Sequence, residues 1–313
     1  MNAVRLGQAS VVIATLIAGG SLPSALVAQT AAVTPDIPGV VAGGTKIELV
    51  ASGLRGGEGA IAAPDGTLLV TEQNANRVSR VDASGRVTPY LSNTNGAAGI
   101  AYDRYGRLIA AQTTNPQIAV LSPTRDVLAD SIDGMPIMRP NDLTIDRNGG
   151  IYFTDPGPAV APEEIVDLPR KPAVYYVRSE TEILRLADDI ERPTGVLLSP
   201  DEKALYVANG LGESVLAFDV RPDGTVANRR SFARLSGRGA DGLAVDAQGR
   251  LYVATPTGVQ IFSPDGRSLG TIPLPDGQEL AFAGADKKTL YIVSRNAVWK
   301  VAMIAQGLGD RAK

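Results

Sequence analysis

The sequence predicts an all-β chain folded as a six-bladed β-propeller, its last blade closed by a strand from the N-terminal side. Three observations predict it. One hairpin pattern returns six times, and the opening residues of the copies stand 40, 43, 53, 47 and 38 residues apart, near the length of a four-stranded propeller blade. The 34 Gly and 21 Pro among 313 residues mark many turns, while 44% hydrophobic residues supply a core. Two stacked β-sandwiches, the competing architecture, leave the sixfold register unexplained.

The copies begin at Glu58, Ala98, Asn141, Thr194, Asp241 and Glu279. Each reads as a short apolar strand, a turn rich in Asp, Gly or Asn, and a β-prone strand, which together make a hairpin. Two more candidate strands follow in each unit, such as Arg77–Val81 with Val87–Leu91, and Gly258–Phe262 with Ser268–Ile272. The sixth unit has only Lys288–Val293 and Ala297–Ala302 in which to complete itself. Lys46–Val50 is the natural supplier of its missing outer strand, which would leave no free edge there. The propeller accordingly spans residues 45–303, followed by a tail over 304–313.

Ahead of it, Arg5, the apolar stretch Val11–Ala18, and the breakers Gly19, Gly20 and Pro23 read as an export signal. Cleavage is expected after Ala28, or alternatively after Ala32, and the Ala-, Pro- and Gly-rich residues 29–44 read as a linker. The expected location is secreted or periplasmic, with no membrane attachment once the signal is removed. An uncleaved anchor is the other reading, although the apolar run is short for a spanning helix.

Composition narrows the chemistry. A formal charge of −3 with no Lys/Arg run argues against nucleic acid as a partner. Histidine and cysteine are both absent, which excludes disulfides, thiolate or imidazole metal sites, Cys nucleophiles and any triad with His as base. Carboxylates, amides, hydroxyls, Lys, Arg and Tyr remain.

In a propeller, equivalent positions of the innermost strands surround the central axis. The six opening residues therefore collect near one mouth of the channel, and all but Ala98 carry a side-chain oxygen donor. Asp, Asn and Thr can merely close turns, but Glu58 and Glu279 are not turn formers. Three carboxylates in a narrow mouth call for a cation or a raised pKa. Mixed oxygen donors suit calcium, magnesium or manganese rather than zinc or copper. The metal set predicted by position is Glu58, Asn141, Thr194, Asp241 and Glu279.

The second strand of each hairpin runs back to the same mouth, so its end forms another tier: Glu72, Gln112, Asp155, Asn209, Thr255 and Ser294. Glu72, Asp155 and Asn209 are expected to hold substrate. Pro156–Pro172, with five prolines and Glu163, Glu164 and Asp167, is long for such a connection; it reads either as a lid over the mouth or as a stiff insertion.

The segments Gly57-Glu58-Gly59, Arg139-Pro140-Asn141-Asp142-Leu143, Tyr152-Phe153-Thr154-Asp155-Pro156, Leu198-Ser199-Pro200-Asp201-Glu202 and Asp241-Gly242-Leu243-Ala244-Val245-Asp246 resemble the family of gluconolactonase, senescence marker protein (regucalcin) and luciferin-regenerating enzyme. The resemblance covers about residues 45–303. It implies a propeller holding a divalent cation in the channel, calcium foremost, with magnesium, manganese or zinc as alternatives. Carried over, the family's ligands fall on Glu58, Asn141 and Asp241, and Asp241 is also its general base. The family's Asn in a Pro-Asn-Gly motif falls on Thr194, and its Pro two residues after the glutamate is Ala60 here. The implied activity is metal-assisted opening of a lactone or similar small-molecule ester, with Arg139 orienting substrate oxygens or else making a surface salt bridge. A non-catalytic binding propeller and a phosphoester or organophosphate hydrolase are the alternatives. Nothing in the sequence speaks to oligomeric state.

Overall fold

The computed structural model describes residues 32–158, 168–179 and 182–309. The expected signal segment, residues 159–167 of the proline-rich connection and the last four residues lie outside the described residues.

Six four-stranded antiparallel sheets form the blades. Blade I holds β2 (Gly57–Ala62), β3 (Leu68–Glu72), β4 (Arg77–Val81) and β5 (Val87–Ser92). Blade II holds β6 (Ala97–Tyr102), β7 (Leu108–Gln112), β8 (Gln117–Ser122) and β9 (Asp126–Ala129). A small hairpin, β10 (Ser131–Ile132) with β11 (Met135–Pro136), precedes blade III. That blade is β12 (Leu143–Ile145), β13 (Ile151–Asp155), β14 (Ala173–Ser179) and β15 (Glu182–Ala187). Blade IV is β16 (Pro193–Leu198), β17 (Ala204–Asn209), β18 (Ser214–Val220) and β19 (Val226–Arg234). Blade V is β20 (Leu243–Val245), β21 (Leu251–Thr255), β22 (Gly258–Phe262) and β23 (Ser268–Ile272). Blade VI is β24 (Gly277–Ala283), β25 (Thr289–Ser294), β26 (Ala297–Ala302) and, outermost, β1 (Glu48–Ser52).

The closing strand is therefore the expected one, two residues further along than Lys46–Val50, and pairs antiparallel with β26 from Glu48↔Lys300 to Ser52↔Ala297. Each innermost strand packs on those of its neighbours, and β24 returns to β2 to complete the ring.

Turn chemistry explains why each hairpin forms where it does. Asp65, Asp103, Asp146, Asp201, Asp246 and Asp286 each accept a backbone N–H two residues on, the Asx arrangement that preorganises a tight reversal. The left-handed residue that follows is Gly66, Gly106, Gly149 or Gly249 in four blades, and Glu202 or Lys287 in the other two. Between blades the core is aliphatic, with Tyr152, Phe153, Tyr175, Tyr252 and Phe262 as its largest fully buried side chains.

Residues 32–44 are not a free linker. Val33 bridges to Lys46, the Ile304 and Ala305 N–H groups donate to the Val40 carbonyl, and Arg250 Nη1 donates to Gly39 O. Ile37, Val40 and Val41 are buried in the apolar cluster of blades V and VI. The expected tail is packed as well: Ala305 is buried and Gly307 bridges to Asp246. Short apolar runs such as Val40-Val41 carry no periodicity of their own; the ring supplies the surface that orders them.

Candidate functional site

The opening residue of each blade sits where the innermost strand begins, and the residue after it decides how closely neighbouring blades approach. In four blades that residue is glycine, and contact leaves no alternative: a Cβ on Gly59 would stand 2.2 Å from Ala98 O, and one on Gly195 would stand 2.3 Å from Asp241 O. The blades are stitched at the same level. Thr71 Oγ1 accepts Gly59 N–H and donates to Ala98 O, while Thr154 Oγ1 accepts Asp142 N–H and donates to Thr194 O.

This packing encloses a small cavity on the axis, lined by Glu58, Gly59, Gly99, Asn141, Asp142, Gly195, Asp241, Gly242, Gln278 and Glu279. The centre of a water-sized sphere has about 10 Å³ in which to move there, roughly the room of one water molecule. Four of the five expected ring ligands thus meet: Glu58, Asn141, Asp241 and Glu279. Thr194 is adjacent but turned away, its hydroxyl donating to Ala240 O at 2.8 Å.

Asp142 was not anticipated as a site residue. It stands where four other blades have glycine, its Oδ2 accepts Val196 N–H at 3.0 Å, and it brings another carboxylate to the cavity wall. Its place after Asn141, against glycine in the equivalent repeats, was the signal available.

The electrostatics follow from crowding. Burial pushes the Glu58 carboxyl up, opposed by Arg295 and Arg139. Asp241 is raised well above the ordinary carboxylate range, first by burial and then by the charges of Glu58 and Glu279. Arg295, on the β25–β26 turn, places Nη1 2.8 Å from Glu58 Oε2, yet no donor is aligned to hydrogen-bond that buried oxygen. Asn141 Nδ2 reaches Glu58 Oε1 across the channel at 3.4 Å. Glu279 Oε1 accepts its own strand's Leu280 N–H.

The second tier anchors backbone. Glu72 is fully buried and accepts Arg55 N–H, Arg77 Nε and Ser79 Oγ. Asp155, also fully buried, accepts the N–H groups of Met138, Arg139 and Gly157. Asn209 Oδ1 accepts Arg192 and Leu211 N–H. These side chains fix the loops that lead into the opening residues, and both carboxylate oxygens of Glu72 and of Asp155 are engaged in doing so. Arg139 does border the mouth, close enough to lower the Glu58 pKa. On the far leg of the proline-rich connection, buried Arg170 donates to the carbonyls of Ile132 and Pro136 and lies 3.8 Å from Asp155.

The donors at the cavity are all oxygens, and a carboxylate cluster with an unsatisfied buried Glu58 oxygen suits one small hard cation. Among the described residues no three acidic side chains are grouped to hold a metal ion by themselves; a cation here would need neutral donors such as Asn141 Oδ1 as well.

Residues 56–296 match the family model described as the SMP-30/Gluconolactonase/LRE-like region. The chain belongs to this family. Among its relatives, a gluconolactonase of Zymomonas mobilis is 27% identical over 300 residues, covering 86% of this chain and 84% of that protein. A Xanthomonas campestris structure described as a gluconolactonase superposes with a TM-score of 0.76 at 27% identity, over 87% of this chain and 97% of the other. A calcium-binding regucalcin of Agrobacterium tumefaciens shares the fold with a TM-score of 0.70 at 17% identity, over 84% and 96% of the two chains. The SMP-30/gluconolactonase assignment thus spans every blade.

Proposed function

We propose that the protein is a divalent-cation-dependent hydrolase that opens lactones at the mouth of the axial channel. The observation that carries this reading is Asp241: a carboxylate with raised proton affinity on the wall of a cavity sized for one water or ion. Its family supports the substrate class, through relatives described as gluconolactonases.

Glu58, Asn141 and Asp241 are the residues that would hold the cation, which when bound would supply positive charge opposite the lactone carbonyl. A calcium-binding relative of the same fold makes calcium the first ion to test. Glu279, folded back on Leu280 N–H, adds negative charge from one blade further, and Thr194 stands beside the cavity with its hydroxyl committed to Ala240 O. Asp241 takes a proton from water as the water oxygen attacks the carbonyl carbon. The same proton then passes to the ring oxygen as the carbon–oxygen bond breaks. The products are one carboxylic acid and one alcohol on a single open chain. Burial raises its proton affinity and a bound cation would lower it again, leaving the carboxylate ionised at neutral pH and able to accept the proton.

The test is hydrolysis of a lactone panel with calcium, magnesium, manganese and zinc, each against a chelator control. Activity lost to chelator and restored by one cation is the expected result. Metal binding without turnover of any lactone would point instead to a binding propeller. We also propose that residues 1–28 direct export to the periplasm or medium; N-terminal sequencing of the exported protein should find it beginning at Gln29, or at Val33 for the alternative cleavage.

A further inference from the structure

Arginines scattered in the sequence are gathered by the ring. Arg55 and Arg238 stand three residues before Glu58 and Asp241, and Arg139 and Arg192 stand two residues before Asn141 and Thr194, the last two in the same Arg-Pro setting. Arg295 joins them from the β25–β26 turn, where its carbonyl accepts the N–H groups of Gly56 and Gly57 beside Glu58. Five loops of one face thus each carry an arginine, and Arg139, Arg192 and Arg295 act on the channel acids Glu58 and Asp241. The backbones of three are pinned by the second tier: Glu72 holds Arg55 N–H, Asp155 holds Arg139 N–H and Asn209 holds Arg192 N–H.

These cations are poorly neutralised. Arg295 pairs with Glu58, but Arg55, Arg139, Arg192 and Arg238 make no ion pair among the described residues. Arg139 and Arg192 are half-buried and near enough to repel one another, while Arg192 also feels the Asp241 carboxylate. Asp188, Asp189 and Glu191 share the loop of Arg192, but Asp188 pairs with Arg185 and Asp189 with Arg229, which leaves exposed Glu191 there and exposed Asp276 on the next connection of this face. The channel acids lie deeper, with Glu58 already opposed by Arg295. A half-buried pair of like charges beside the base calls for an anion between them, since guanidinium groups bind carboxylate or phosphate with charge-assisted hydrogen bonds.

We propose that the favoured substrate is a lactone carrying a second, anionic group, a carboxylate or a phosphate, that rests between Arg139 and Arg192 while the ring carbonyl faces Asp241. This rests on the lactonase reading above and narrows its substrate class. The other arginines of the collar draw such a substrate to the mouth from solution, an attraction that salt screens over about 10 Å at 0.1 M.

The test compares neutral gluconolactone and galactonolactone with glucarolactone and 6-phosphogluconolactone, in the wild type and in Arg192→Gln. The expected result is a kcat/KM at least about tenfold higher for a charged lactone, a tenfold ratio being an ordinary charge-pair effect. The ratio should fall toward one in Arg192→Gln and at high salt, and the two charged substrates report whether carboxylate or phosphate is preferred. Equal turnover of charged and neutral lactones, or a preference unchanged in the variant, overturns the proposal. Calorimetry of glucarate and 6-phosphogluconate against glucitol separates the two readings. Anion-selective binding that weakens in Arg192→Gln, in a protein inert toward every lactone, sinks the lactonase reading alone; no selectivity sinks the collar.

Discussion

Asp241 is the residue at which fold and chemistry pull against each other. Its proton affinity is raised in the folded state, so the native protein binds more protons there than the unfolded chain does. Stability of the cation-free protein therefore falls as pH rises from about 4, the unfolded carboxylate value, through the raised folded value. Asp241→Asn should flatten that decline and increase stability at neutral pH by roughly 1–3 kcal/mol, the usual cost of a poorly satisfied buried polar group. The same substitution should lower lactone hydrolysis by about 10²–10⁴, the usual contribution of a positioned base. A bound cation favours the ionised carboxylate, so the acid limb of the wild-type kcat/KM should move to lower pH as the cation saturates. Melting curves across pH and a pH–rate profile check all three. At Thr194 the hydroxyl is committed to Ala240 O. Thr194→Asn should then cost about 0.5–1.5 kcal/mol through the lost bond while placing an amide carbonyl nearer the cavity and tightening calcium. Titration calorimetry would show unchanged calcium affinity if position 194 does not reach the ion.

Among the elements, the hairpins were legible because their turns announce themselves: an Asp recurs in all six copies and is followed closely by glycine in four of them. Four of the ring residues followed from the same register. What was not legible depends on surfaces that exist only after folding. The β10–β11 hairpin is two residues to a strand, too short for any periodicity. The arginine collar leaves no charge run because its members are separated by whole blades. Glu72 and Asp155 appear free in the sequence and find their backbone donors only once the loops are stacked. The segment 32–44 is the sharpest case, since Ile37, Val40 and Val41 pack under blades V and VI. Ile37→Ala should cost about 2–5 kcal/mol, the range for deleting a buried aliphatic side chain, and denaturant titration should detect it; a linker residue would give no change.

At the scale of the whole molecule, the channel is a place where six separate sheets must agree, so an ion there is linked to the stability of all of them. Calcium binding only the folded state should raise the melting temperature in a concentration-dependent way, by the equivalent of about 2.7 kcal/mol at a hundredfold excess over Kd. Calorimetric scans without a shift for any divalent cation would remove the metal from the proposal. Ring closure has a further consequence, in time rather than in space. β1 is among the first strands to be synthesised and its partner β26 is the last. Every other blade is built from neighbours along the chain, whereas this pairing spans nearly the full length and brings a slow, long-range step to folding. Until it forms, β26 presents an unpaired edge open to a strand of another molecule. Yield on refolding should therefore fall with protein concentration, since a second chain can donate β1 before the chain's own copy arrives.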